Sequence, residues 1–301
     1  MRHPMMNNYI EKFIEYLENE KNYSLHTCKD YTEDLEQFND FVKKLNLEDI
    51  KQIDHIIIRQ FLGELNQRNY SKRSIARKLA SIKSFFKFLL KREYIKTNPA
   101  EYVSSPKLPK LLPHFLYEDE ITEIIESFDN NNFESARNRA ILETLYSTGM
   151  RVSELVNLDL QDIDIFQGIA RVYGKGSKQR IVALGSKCRE SLNVYLIYRK
   201  NFLNKSGIST DALFINFKGK RLTDRGVRYI FEKYIKKIAQ EKKVSPHIVR
   251  HTFATHMLNN GCDLRAVQEF LGHISLTTTQ IYTHIGKKQL KKIYDEYHPH
   301  S

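Results

Sequence analysis

The stretch "NPAEYVSSPKLPKLLPHFL", residues 98–116, carries four of the seven prolines in a chain of 301 residues. Proline has no amide hydrogen to donate and pushes the residue before it out of the helical region. A run this dense therefore reads as a connector between folded pieces. The patterning changes across it, which predicts one domain over 1–105, a linker over 106–115 and a second domain over 116–301.

Upstream, apolar residues recur at three- and four-residue spacing in "YIEKFIEYLENE", "YTEDLEQFNDFVKKLNL", "HIIIRQFLGELNQR" and "SIARKLASIKSFFKFLLKR". That is the period of a helix with one buried face, and Ser24 and Ser71 stand where N-caps belong. Four or five short helices of this kind make a bundle. From Arg68 to Arg92 there are nine Lys and Arg, Lys78 among them, and no Asp or Glu. They alternate with Ile75, Leu79, Ile82, Phe86 and Leu89, giving one apolar and one cationic face. A face without acids suits phosphate tracking, with Lys72, Arg73, Arg77, Lys83 and Lys87 as candidate DNA contacts. A plain solvated face is the alternative.

Downstream, helices are expected near 118–128 and 133–148. "IARVYGKGSKQRIVAL", residues 169–184, places two short alternating runs around a glycine-rich, lysine-tipped turn, the pattern of a β-hairpin. "ALFINFKGKRLT", 212–223, reads as a further strand-like piece, and helical spacing returns from 223 onward. The fold class is mainly α with a small β component: an N-terminal helical bundle followed by an α+β domain.

Lys and Arg total 48 against 36 Asp and Glu, a net charge of +12 that favours a polyanionic partner, nucleic acid before membrane. No apolar run approaches the roughly 18 residues of a membrane span, and the first twenty residues lack a signal-peptide core. A cytoplasmic location is expected, with no membrane anchor. Cys28, Cys188 and Cys262 form no CxxC pair, so neither a disulfide framework nor a zinc site is expected.

Four stretches of the second half gather chemistry-bearing residues. In "TGMRVSELVNL" (148–158), Gly149 suits a helix stop, which puts Arg151 at the next helix N-terminus, with Glu154 on its face. In "SPHIVRHTFATHMLNNG" (245–261), Ser245 and Pro246 start a helix on which His247 and Arg250 share a face. His247 and His251 have i,i+4 spacing but no following glutamate, so the HExxH zinc pattern fails. "FLGHISLTTTQIYTHI" (270–285) supplies His273 after a helix-ending Gly272, then Tyr282 on the next expected helix. The hairpin turn supplies Lys175.

Together these residues form a kit for phosphoryl transfer. Two guanidiniums can clamp the non-bridging oxygens of a phosphodiester, and they bind more strongly as charge grows in the transition state. A phenol of unperturbed pKa about 10 needs such help to act as a nucleophile. His247 could take its proton, Lys175 could protonate the departing 5′ oxygen, and His273 could donate to a phosphate oxygen.

The set "TGMRVSEL", the hairpin lysine, "HIVRHTFATHML", "LGHISLTTTQIYTH" and the ending "YDEYHPH" closely resembles the tyrosine recombinase (phage integrase) family, most strongly its Xer chromosome-dimer-resolution group. The resemblance spans essentially the whole chain. It implies a SAM-like core-binding domain and a tyrosine-recombinase catalytic domain ending in a tail helix. It places the family's catalytic positions on Arg151, Lys175, His247, Arg250, His273 and Tyr282, with Tyr282 the nucleophile that becomes O-(3′-phospho-DNA)-tyrosine. Glu154 is a supporting residue. It further implies that the chain needs no cofactor, metal or ATP. Its partner is a double-stranded recombination site, held in a homo- or hetero-tetramer on synapsed DNA, in the second case with another Xer recombinase. The tail helix would dock on a neighbouring protomer. A type IB topoisomerase-like relaxer shares the chemistry, and a DNA-binding protein with a vestigial pocket is the non-enzymatic alternative.

Overall fold

The computed structural model describes residues 6–47, 49–108, 115–174, 179–235, 244–272 and 287–301. The chain divides into two compact units, Met1–Leu111 and Leu112–Ser301.

The first unit contains helices α1 (Met6–Asn19), α2 (Leu25–Lys44), α3 (His55–Gln67) and α4 (Lys72–Lys91). Their starts follow local chemistry. Ser24 accepts from the Thr27 amide, Asp54 from Ile56 and Ile57, and Ser71 from Ser74, each cap contributing about 1 kcal/mol. The apolar stripes meet in one core in which Phe13, Phe38, Phe61, Phe85 and Phe86 are almost wholly buried. Phe38 meets Phe61 edge-on at 5.1 Å.

Helix α4 buries Ile75, Leu79, Ile82, Phe86 and Leu89, while Lys72, Arg73, Arg77 and Lys87 are exposed and Lys83 is half-buried. Lys78 departs from the expected cationic face. It is buried and donates to Asp34 Oδ1 at 2.8 Å, and Asp34 Oδ2 accepts from Arg77 at 2.6 Å and Ser81 at 2.8 Å. Asp34 has no exposed surface, and a carboxylate buried that deeply is tolerated only when its oxygens are bonded and its charge opposed. The acid missing from the 68–92 window is thus supplied by α2.

The second unit is built around α6 (Phe133–Thr148), preceded by α5 (Glu118–Glu126). From Ala140 to Thr148 every residue of α6 is buried, as expected of a helix covered on all sides. It packs against α8 (Ser186–Ser206) and α10 (Pro246–Asn259). The hairpin forms as β2 (Ile169–Tyr173) and β3 (Gln179–Ala183), antiparallel with Val172 opposite Arg180. A two-residue strand β1 (Ile163–Asp164), not anticipated, completes the sheet in the order β1-β2-β3. The 212–223 piece forms no strand. It makes two isolated bridges, Asp159 to Ala212 and Ile215 to Arg221, because Asn216 folds it into a tight turn by accepting from Lys218 and Lys220. The other α-helices among the described residues of this unit are α7 (Val152–Val156), α9 (Asp224–Ile230), α11 (Leu264–Leu271) and α12 (Lys287–Tyr297). No described helix is long and apolar enough to cross a membrane.

The tail helix α12 and residues 298–301 seat on this same unit. Tyr294 is buried and its hydroxyl lies 2.7 Å from Ser147 Oγ. His298 stacks on Tyr294 at 4.6 Å and abuts Tyr146. Its Nδ1 accepts from the His300 amide at 2.9 Å, so the proton sits on Nε2, which donates to the Tyr146 carbonyl at 3.2 Å. Behind it, His256 Nε2 donates to the Leu116 carbonyl and Nδ1 accepts from the Tyr146 hydroxyl, both at 2.8 Å. Both rings are therefore held neutral. Burial pushes His298 down to about 3 and lowers His256 as well.

The pH consequence follows from linkage. Below about 6.5 the unfolded chain binds protons that these rings refuse, so stability is full above that pH and falls as pH drops toward the folded values. Lowering the pH from 7.5 to 5 is expected to cost about 2 kcal/mol through His298. Urea unfolding of His298→Gln against wild type checks it: the variant starts weaker at pH 7.5 and loses about 2 kcal/mol less on acidification. Equal losses in both proteins would remove His298 as the titrating group.

Candidate active site

Gly149 caps α6 in the left-handed conformation, φ 58°. The Phe253 ring lies against its α-carbon, 2.4 Å from where a β-carbon would stand. The close approach lets the chain reverse and start α7 three residues later, with Arg151 at its N-cap. Glu154, one turn on, closes that end: Oε2 accepts from the Arg151 amide at 2.7 Å and Oε1 from Arg151 Nη1 at 2.9 Å.

Helix α10 begins at Ser245, whose hydroxyl accepts from the Ile248 amide, with Pro246 at the first helical position. His247 is exposed on its first turn, while Arg250, one turn on, is 8% exposed. Arg250 Nη1 donates to the Gly149 carbonyl and Nη2 to the Leu271 carbonyl, both at 2.7 Å. Two of its five donors thus join the ends of α6 and α11, and Nη1 lies 4.0 Å from Glu154 Oε2. Burial, helped by the charges of Arg151 and Arg180 and opposed by Glu154, pushes the guanidinium down to about 10. It stays charged at neutral pH.

Three of the six expected catalytic residues, Arg151, His247 and Arg250, lie in this region. Arg151 and Arg250 meet at Glu154. Lys175, His273 and Tyr282 lie outside the described residues. Gly272, the residue before His273, caps α11 in the left-handed conformation.

The structure adds a residue that the sequence reading missed. Arg180 on β3 forks Glu154, with Nη1 and Nη2 each 2.8 Å from one carboxylate oxygen, and its Nε donates to the Phe270 carbonyl at 3.2 Å. Burial alone would raise the Glu154 carboxyl. The Arg180 bonds, the Arg151 amide and the two guanidinium charges outweigh it and hold the group at about 2. A signal was available: Ala170, Val172, Val182 and Arg180 share one face of the hairpin, and Arg180 is the one polar residue of these four.

Residues 114–289 match the phage integrase family, and residues 10–93 match the phage integrase N-terminal SAM-like domain. The chain belongs to the phage integrase family. It is a site-specific tyrosine recombinase. The tyrosine recombinase XerC of Pelotomaculum thermopropionicum is 44% identical over 299 residues, covering 97% of this chain and 98% of that protein. That of Thermodesulfovibrio yellowstonii is 45% identical over 293 residues, covering 97% and 96%. Among solved structures, the XerH site-specific recombinase bound to a palindromic difH substrate, a post-cleavage complex, superposes with a TM-score of 0.70 at 26% identity. It covers 94% of this chain and 83% of that one. In the recombinase described here, the matched catalytic-domain segment contains Arg151, Glu154, Arg180, His247 and Arg250.

Proposed function

We propose that the chain cuts DNA by moving a phosphodiester onto Tyr282 and rejoins it by the reverse step. Arg151 and Arg250 bind the two non-bridging oxygens, and Glu154 keeps Arg151 in place. The phenolate oxygen attacks phosphorus as the bond to the 5′ oxygen breaks, leaving a 3′-phosphotyrosyl link and a 5′ hydroxyl. His247 takes the phenol proton, Lys175 gives one to the departing oxygen, and His273 donates to a phosphate oxygen. One phosphoester replaces another, so rejoining by a partner strand's 5′ hydroxyl needs no ATP. The observation that carries this reading is Arg151 and Arg250 gathered at one buried carboxylate. Donors fixed before the reaction are what stabilise developing charge.

In this reading residues 1–105 are the core-binding domain, 106–115 the linker and 116–301 the catalytic domain. The protein works in the cytoplasm as a homo- or hetero-tetramer on two synapsed duplexes. The resemblance to the Xer group supports chromosome-dimer resolution at cell division as its role.

Covalent capture tests the proposal. Wild-type chain is incubated with fragmented host DNA containing EDTA and no ATP, denatured and recovered. Fragments joined through their 3′ ends and sharing one sequence are expected. Capture through 5′ ends, or fragments sharing no sequence, would sink the proposal.

On the DNA-facing side, Lys72, Arg73, Arg77, Lys83 and Lys87 are assigned to phosphates. Lys87→Ala, at an exposed position, is expected to weaken binding of all sequences alike and to reduce the log–log salt slope by about one. An unchanged slope would move the DNA face elsewhere. Arg77→Ala is a poorer probe, because it also strips a partner from Asp34.

A further inference from the structure

We infer that Arg180 is a positioning residue for phosphoryl transfer: its fork on Glu154 fixes Arg151, and its bond to the Phe270 carbonyl locks that assembly to the end of α11, where Arg250 is also tied. The inference rests on the proposed roles of Arg151 and Arg250.

Four observations support it. The fork is two-pronged and short, with Nη1 and Nη2 at 2.8 Å from the two Glu154 oxygens. Those same oxygens hold the amide and the guanidinium of Arg151, so the carboxylate cannot turn without moving Arg151. The third donor, Nε, goes to the Phe270 carbonyl, while the next carbonyl along, Leu271, takes Arg250 Nη2. Adjacent peptide groups at one helix end therefore anchor two arginines from different elements. Finally, Gly272 leaves room for this: a β-carbon there would stand 3.1 Å from Arg180 Nη1.

The charges fit the reaction. Among the described residues, the charged groups facing Glu154 are Arg151 on its own helix, Arg180 on β3 and Arg250 on α10. Three guanidiniums against one carboxylate leave two positive charges. A phosphodiester monoanion becomes a dianion at the five-coordinate transition state. Without Arg180 one positive charge would remain, and Glu154 would keep only the Arg151 amide and guanidinium, with Arg250 at 4.0 Å, to hold its orientation. Its carboxyl would also lose the largest of the influences that hold it low against burial, the Arg180 hydrogen bond.

The test measures covalent adduct formation on a nicked duplex carrying a site that wild type cuts, from pH 5 to 8, with gel-shift affinity and melting temperature alongside. Arg180→Gln is expected to bind within about threefold of wild type and to cleave 10- to 100-fold more slowly, the usual effect of losing a supporting partner. Its deficit should widen toward pH 5, because a buried Glu154 that has lost Arg180 takes up a proton more readily and then holds Arg151 less firmly. A rate within about threefold of wild type would overturn the inference, as would a deficit equal at every pH. Arg180→Lys keeps the charge but cannot fork both oxygens, so about tenfold slower cleavage with binding intact is expected. If Arg180→Gln does not fold, this variant decides, and full activity in it overturns the role of the fork. Wild type that forms no adduct brings down the proposed function and this inference together. Wild type that forms one beside an equally active Arg180→Gln brings down the inference alone.

Discussion

Tyr282→Phe is expected to bind the recombination site as wild type does and to form no covalent adduct with it. The change removes one oxygen and keeps the ring, so packing and DNA affinity have little reason to move. The transferred phosphoryl group, however, has nowhere to go. Losing a nucleophile from a preorganised site costs on the order of 10³-fold or more, below detection in a gel assay of trapped adducts. The measurement is a denaturing gel of a 5′-labelled nicked duplex after incubation with each protein. An adduct that persists in the variant would remove Tyr282 from the reaction and pass the nucleophile to another residue.

Arg250→Ala is the second large effect, with cleavage lowered on the order of 10²-fold or more, the scale of losing one preorganised donor to a developing oxyanion. Here the loss is compounded. The carbonyls of Gly149 and Leu271 lose their donor, and Glu154 loses one of the three cations that face it. Arg250→Lys separates the two contributions. A single ammonium keeps the charge but cannot span both carbonyls, so activity should recover only in part. Single-turnover cleavage with DNA saturating reads the chemical step apart from binding. A fall of less than about threefold in Arg250→Ala would count against the clamp.

Where structure follows from neighbours along the chain, the sequence was readable. Ser24 and Ser71 cap the helices they were expected to cap, the 169–184 hairpin forms, and Gly149 and Gly272 end helices in the left-handed conformation. The helix starts that carry Arg151, His247 and Arg250 also stand where motif and helical spacing put them. What escaped depends on partners far away in sequence. Lys78 reads as part of a cationic face until Asp34, 44 residues earlier, takes it inside. Arg180 reads as an ordinary strand arginine until the fold brings Glu154 to it across 26 residues. The 212–223 segment alternates like a strand, yet its turn chemistry prevailed and left two isolated bridges.

Gly149 is hard to replace in this chain. Asparagine and aspartate tolerate its backbone angle, but any β-carbon meets the Phe253 ring. Trimming Phe253 would open the space without relieving the angle that every other side chain resists. Its carbonyl also receives Arg250, so a residue with no side chain helps fix where that guanidinium lies. Variation at 149 therefore disturbs the end of α6 and the seat of the Arg250 guanidinium at once.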